Sequence, residues 1–292
     1  MDRSGDRAVR AALERVLGAD VVRRATLWEL DGGVKKRSYL VSAADGQWVL
    51  RLPAAGAGAL LDLATEADVM RAAAAAGLAA GVVAVDVDAG ILLTDYRAAA
   101  RAWSAADARQ PRNVERAAVL LRELHALDVE VPAFAAERVA RGYLAALSAG
   151  VDARRARFDA GEQAWVDELL ERARHYDATH PPAVLCHNDL VAANVLDDGR
   201  LVLVDFEYAT RGAPVLDLAG LAGMNDYGAR ERRELLAAYC GGDGAAITGP
   251  QLEKVVRLVR LMAFFWARLG ELRAADATAY RALAAELGER LR

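Results

Sequence analysis

Apolar and polar positions alternate with a short period through the first ninety-odd residues and with a helical period over most of the rest, and the texture changes after Tyr96. Trp28 to Leu30, Ser38 to Ser42 and Trp48 to Leu52 predict short strands, separated by the turn signals Asp31-Gly32-Gly33 and Asp45-Gly46. A helix is expected from about Leu60 to Ala76 with Gly77 as its stop. Two apolar runs follow, Val82 to Val87 and Ile91 to Thr94, around a turn at Asp88 to Gly90. Residues 113–126, 134–149 and 160–176 carry amphipathic helical spacing, and Pro181-Pro182 closes that series. From Ala183 to Phe206 the pattern is strand-like around Asp197-Asp198-Gly199. From about Val215 onward it is helical again and includes the strongly apolar segment Val255 to Trp266. The pattern predicts an α+β fold in two parts. Residues 1–95 form a small antiparallel sheet with one main helix, and residues 96–292 form a larger, mostly helical part.

Composition narrows the setting. Hydrophobic residues make up 54% of the chain and charged ones 27%, which suits a folded protein. A formal charge of −4 removes the bulk attraction that non-specific nucleic-acid binding needs, so no nucleic-acid partner is expected. The longest stretch without a polar side chain, Ala72 to Val85, is shorter than the roughly 20 residues of a bilayer crossing, and Gly77 and Gly81 interrupt it. No membrane span is expected. The charged start, with Asp2, Arg3, Asp6, Arg7 and Arg10, leaves no signal-peptide apolar core, and Cys186 and Cys240 are too few for a disulfide framework. The expectation is a cytoplasmic protein with reduced thiols, its oligomeric state not legible.

The most informative stretch is Cys186-His187-Asn188-Asp189-Leu190-Val191-Ala192-Ala193-Asn194, followed by Leu201-Val202-Leu203-Val204-Asp205-Phe206-Glu207. With Asp198-Gly199 as a two-residue hairpin turn, Asn194 faces Leu203. Strand alternation then puts Asp205 on the same face as Asn194, about 7 Å away on the diagonal. Amide and carboxylate oxygens are hard ligands suited to Mg²⁺ between them and a nucleotide's phosphates. Asp189 sits in a short loop after the strand Val184 to Cys186, placed to meet a substrate hydroxyl. The set suits phosphoryl transfer, where catalysis is mostly positioning and charge neutralisation and an Asp accepts the hydroxyl proton. Taken singly, each residue suits a turn-capping or strand-ending role as well.

Arg51 places a charge in the apolar run Gln47 to Pro53, where it needs a partner, a ligand or a route to water. The helix that follows supplies Glu66. Leu30 to Val41, with Gly32-Gly33 inside it, reads as strand, glycine turn, strand, whose N–H groups can approach a phosphate closely. Lys35, Lys36 and Arg37 either attract a nucleotide there or form a solvated hairpin tip. Apart from Lys254, those two are the only lysines in a chain with 37 basic residues.

The spacing His187-x-Asp189-x-x-x-x-Asn194, followed after one hairpin by Asp205-Phe206, resembles the signature of the protein-kinase-like small-molecule kinases, the aminoglycoside phosphotransferase, choline kinase and thiamine kinase superfamily. The resemblance implies a bilobal protein-kinase-like fold, ATP as donor, Mg²⁺ as cofactor and a small-molecule acceptor. It implies Asp189 as catalytic base, Asn194 and Asp205 as Mg²⁺ ligands and His187 as a support of the loop. Arg51 would hold the nucleotide's phosphates and pair with Glu66, Gly32, Gly33 and Lys35 would form a phosphate loop, and Asp95 and Tyr96 would offer hinge backbone to the adenine. Asp217 would brace the catalytic loop, and His125 would be structural. Glu207 in place of a glycine, and no Ala-Pro-Glu segment after it, make a protein substrate unexpected.

Asn188 and Glu207-Tyr208 look more like choline and thiamine kinases than aminoglycoside phosphotransferases. The expected acceptor is therefore a hydroxyl of a small cationic metabolite of the choline, ethanolamine or thiamine kind. An aminoglycoside, other sugar or amino alcohol is the alternative, and a catalytically silent nucleotide-binding scaffold is a third possibility. Glu207, Asp226 and Trp266 are the acceptor-side candidates, although most of Val255 to Trp266 is expected as core.

Overall fold

The computed structural model describes residues 3–30, 37–52, 62–149, 158–241, 247–274 and 276–292. Gly32, Gly33, Lys35 and Lys36 lie outside the described residues. Helices α1 (Arg3–Leu17) and α2 (Ala19–Arg24) precede β1 (Thr26–Leu30), β2 (Arg37–Ala43) and β3 (Gly46–Leu52). Then come α3 (Leu63–Ala75), β4 (Val82–Asp86), β5 (Ile91–Asp95) and the short β6 (Arg101–Ala102). Helices α4 (Ala105–Ala108), α5 (Pro111–His125), α6 (Ala136–Ser148) and α7 (Ala160–Thr179) lead to β7 (Val184–Cys186). A 3₁₀ turn (Ala192–Asn194) opens onto β8 (Val195–Asp197), β9 (Leu201–Leu203) and β10 (Thr210–Gly212). The chain closes with α8 (Pro214–Met224), α9 (Ala229–Cys240), α10 (Gly249–Arg273) and α11 (Thr278–Leu291).

The chain forms two units, Met1–Ala102 with Asn194–Ala209, and Trp103–Ala193 with Thr210–Arg292. The sequence pattern places the division after residue 95. The first unit runs further, to Ala102, and takes in the hairpin of residues 194–209. Main-chain pairing is the reason: β6 pairs with β8, and the Leu203 N–H donates to the Leu78 carbonyl at 2.8 Å.

In the first unit the antiparallel sheet has the order β1-β2-β3-β5-β4. Tyr39, Val41, Leu50, Ile91 and Leu93 share one face and form a core with Val9, Leu13 and Val22. That core is why α1 and α2 exist, two helices beyond the one predicted. Val9, Leu13 and Val16 recur on one helical face of a segment otherwise dominated by charge. Arg51 alternates to the opposite face, across from Ser38 on β2 and Leu92 on β5. Helix α3 starts at Asp62, whose carboxylate accepts from the Thr65 N–H at 2.9 Å. It ends at Gly77, left-handed at φ 75°, with the Leu78 N–H reaching back to the Ala73 carbonyl at 2.8 Å.

The second unit is helical around one short ladder. β7 pairs antiparallel with β10, Cys186 opposite Thr210. Helix α8 is almost wholly buried and packs on α10, which also carries α11, while α5 packs on α9. Val255, Val256, Leu258, Leu261, Phe264 and Phe265 are buried, so the apolar run of α10 is core, as its all-round hydrophobicity predicts.

Candidate active site

In the first unit β3 and α3 bring Arg51 and Glu66 together. Arg51 Nη1 donates to Glu66 Oε1 at 2.6 Å, Nη2 donates to Oε2, and Asp205 Oδ1 lies 3.6 Å from Nη1. Glu66 is only 3% exposed, so the pair is a desolvated, two-pronged one rather than a surface contact. Burial works against the guanidinium charge, but the bond and charge of Glu66, with Asp205 and Glu207 behind it, outweigh burial and raise the Arg51 pKa. Glu207, an acceptor-side candidate by sequence, is buried here and acts on Arg51.

The hairpin carrying Asn194 and Asp205 has a different register from the expected one. Val195 pairs with Leu203 and Asp197 with Leu201, so Asp198, Gly199 and Arg200 make a three-residue loop and Asn194 falls opposite Val204. The cause is two local bonds, the Gly199 N–H to Asp197 Oδ1 at 2.9 Å and the Arg200 N–H to Asp198 Oδ1 at 3.3 Å. Strand alternation therefore does not bring Asn194 and Asp205 to one face. Proximity comes from the hairpin mouth: the Val204 N–H donates to the Asn194 carbonyl at 3.0 Å, and Asp205 follows in a left-handed conformation at φ 68°. The amide oxygen and the partly exposed carboxylate thus sit on adjacent backbone, a hard-oxygen donor set that fits Mg²⁺.

Asp95 ends β5 and Tyr96 follows it. Their N–H groups are taken up within the unit, by the Gly81 carbonyl at 2.9 Å and the Gln47 carbonyl at 3.1 Å.

In the second unit the catalytic-loop motif is fixed through its main chain. Asp217, fully buried on α8, accepts from the His187 N–H on Oδ2 and the Asn188 N–H on Oδ1, each at 2.8 Å. His125 Nε2 lies 3.1 Å from Asp217 Oδ2, and its Nδ1 lies 2.7 Å from the Tyr239 hydroxyl. Burial raises the Asp217 pKa, but the His125 bond and charge and the loop's N–H groups prevail and hold it below the usual carboxylate range. The donor atoms of His125, Cys186 and Asp217 come within 4.8 Å of one another. Both ring nitrogens and both carboxylate oxygens are already hydrogen-bonded, so the cluster is a brace. Asn188 is left-handed at φ 66°, with its Nδ2 donating to Thr210 Oγ1 at 2.7 Å, and the Asp189 N–H donates to His187 Nδ1 at 3.2 Å. Non-glycine residues held there are uncommon and concentrate at functional sites.

The other two acceptor-side candidates, Asp226 and Trp266, have partners within the second unit. Asp226 pairs with Arg260 at 3.5 Å and with Arg290. Trp266 packs on Tyr280 with ring centroids 5.4 Å apart, and a Cβ on Gly270, one turn on, would strike the same Tyr280 ring. Trp266 and Gly270 form the seat for α11. Asn225 and Tyr239 carry no signal in the sequence, because their loop-side partners, Leu190 and Ala192 for Asn225 and His125 for Tyr239, lie far along the chain.

Comparison with known proteins gives the same frame. A profile described as the phosphotransferase enzyme family, APH, matches residues 26–255. A choline kinase from Streptococcus pneumoniae superposes with a TM-score of 0.81 at 19% identity, covering 99% of each chain. A choline/ethanolamine kinase family protein from Mesorhizobium loti does so at 0.75 and 26% identity, over 97% of this chain and 93% of that one. A spectinomycin phosphotransferase shares the fold at 0.65 and 13% identity, over 98% and 94%. Ethanolamine kinase 2 of Mus musculus is 30% identical over 124 residues, 36% of this chain, and the match spans 31% of that protein's length. The fold is the protein-kinase-like α+β fold that the signature implies.

Proposed function

The chain belongs to the phosphotransferase enzyme family, and from that premise we propose that it transfers the γ-phosphoryl group of ATP to a hydroxyl of a small, cationic amino alcohol. The observation that carries the proposal is Arg51, a part-buried guanidinium clamped by the buried Glu66 with the Asp205 carboxylate 3.6 Å away. A cation so placed binds phosphate oxygens, and Glu66 keeps its fork aimed. The Asn194 amide oxygen and the Asp205 carboxylate would hold Mg²⁺, which would supply neutralisation of the charge on the transferring group. Asp189 orients the acceptor hydroxyl and takes its proton as the oxygen bonds to phosphorus and the bond to ADP breaks. Gly32, Gly33 and Lys35 belong to the same proposal as the phosphate loop, and Asp95 and Tyr96 as the hinge.

The choline and ethanolamine class of acceptor is supported by the relatives' names and by Asn188 and Glu207-Tyr208 in the sequence. Coupled ATP consumption with choline, ethanolamine, thiamine and an aminoglycoside, with mass detection of the phosphorylated product, tests it. Turnover with choline or ethanolamine is the expected result. Turnover with the aminoglycoside alone replaces the acceptor class, and ATP binding without transfer to any of them overturns the proposal.

A further inference from the structure

Between Asp189 and Asn194 the catalytic loop has a second anchor outside the signature motif. Asn225, which ends α8, is 3% exposed and its side-chain amide is fully used. Its Oδ1 accepts from the Ala192 N–H, and its Nδ2 donates to the carbonyls of Leu190 and Leu221, each at 2.8 Å. Two of those bonds end on the residues either side of Val191. Buried peptide groups without a helical or strand partner need such a substitute. An asparagine amide supplies donor and acceptor together, which no apolar side chain does and which a carboxylate does only when protonated.

The turn that presents Asn225 is itself fastened. Asp226 is left-handed at φ 54° and pairs with Arg260 and Arg290, and the Tyr227 hydroxyl donates to the Ala108 carbonyl at 2.7 Å. Three consecutive side chains therefore tie the loop, α10, α11 and the end of α4 to one point.

We propose that Asn225 is a positioning residue for phosphoryl transfer, holding the 190–192 main chain and through it the aim of the Asp189 carboxylate. Resting on the phosphotransferase function proposed above, this role predicts that Asn225 acts on kcat and not on nucleotide binding. A small misplacement of a catalytic group costs about 100-fold, so Asn225→Leu should lose about that factor in kcat with the KM for MgATP unchanged. Asn225→Asp should lose as much at neutral pH and recover on acidification, because a protonated carboxyl again donates to the Leu190 carbonyl. Asn225→Leu has no such recovery.

The measurements are made on the full chain, with thermal unfolding to normalise activity to folded protein. In parallel, hydrogen exchange should show the Ala192 amide protected in the wild type and released in Asn225→Leu, with the α8 amides of residues 218–222 still protected, while the carboxylate of Asn225→Asp still accepts from it. An unchanged kcat per folded molecule in Asn225→Leu, or unchanged protection of Ala192 in that variant, overturns the inference. If the wild type transfers phosphoryl to no acceptor, the proposed function falls, while the Ala192 exchange still decides whether Asn225 anchors the loop.

Discussion

Arg51 in the first unit and Asp189 in the second are held by opposite means. Arg51 is fixed through its own functional group: the fork that would meet phosphate is the fork that Glu66 grips. Asp189 sits in a loop fixed through its main chain, by Asp217 on His187 and Asn188 and by Asn225 on Leu190 and Ala192. Function and scaffold are one interaction in the first case. In the second, the bonds named end on main chain and not on the Asp189 carboxylate, so its removal leaves them in place.

The largest expected effect tests that separation. Asp189→Ala should lower turnover by about 10²- to 10⁴-fold, the usual contribution of a positioned general base, with ATP binding and the unfolding temperature unchanged. A clear drop in unfolding temperature would show that the Asp189 side chain is scaffold as well. Arg51→Ala is the converse. It leaves Glu66 buried without its cation, so it should cost about 3–5 kcal/mol in stability together with nucleotide affinity. Replacing both partners, Arg51→Met with Glu66→Leu, should restore most of the stability in denaturant titrations and none of the ATP binding. Recovered stability with the single substitution would break the comparison.

What could be read from the sequence divides along the same line. The motif around Asp189 and the lone charge at Arg51 are legible because such residue types at such spacing are rare beside apolar strands. The hairpin exists as predicted, but its register turns on whether Asp198-Gly199 or Asp198-Gly199-Arg200 closes it, and side-chain bonds from Asp197 and Asp198 decide that. Helix α1 is masked by its charges, although Val9, Leu13 and Val16 carry the helical period. Asn225 leaves no local trace, since its partners at Leu190 and Ala192 are distant in the chain and only the folded second unit supplies them.

Acid should weaken the second unit's brace through Asp217. Its pKa in the folded chain is lowered, so the stability it contributes is fully present above the unfolded value of about 3.9 and is lost as pH falls through the folded value. The acid limb of an unfolding-temperature profile should therefore flatten in Asp217→Asn, at a lower overall stability. A variant as acid-sensitive as the wild type would mean that the main-chain anchoring does not depend on this carboxylate.

The smallest effects concern how the hairpin bearing Asn194 and Asp205 is stitched to α3. Arg200 Nη2 donates to the Ala76 carbonyl at 2.9 Å at the end of α3, and its guanidinium lies where a Cβ on Gly77 would be, 2.7 Å from the guanidinium carbon. Gly77→Ala then has two costs: a left-handed alanine, about 1–2 kcal/mol, and displacement of Arg200. Arg200→Ala alone removes a cation from a helix C-terminus, worth about 0.3–1 kcal/mol. The two substitutions are therefore not additive: in the Arg200→Ala background, Gly77→Ala should cost only its backbone strain, because the displaced group is already gone. A double-mutant cycle by chemical denaturation that closes to zero would mean Arg200 does not sit over Gly77. The hairpin would then be joined to the segment after α3 through the main-chain pairing of Leu203 with Leu78 and Ala79, so the first unit, like the second, would hold its candidate segment through the backbone.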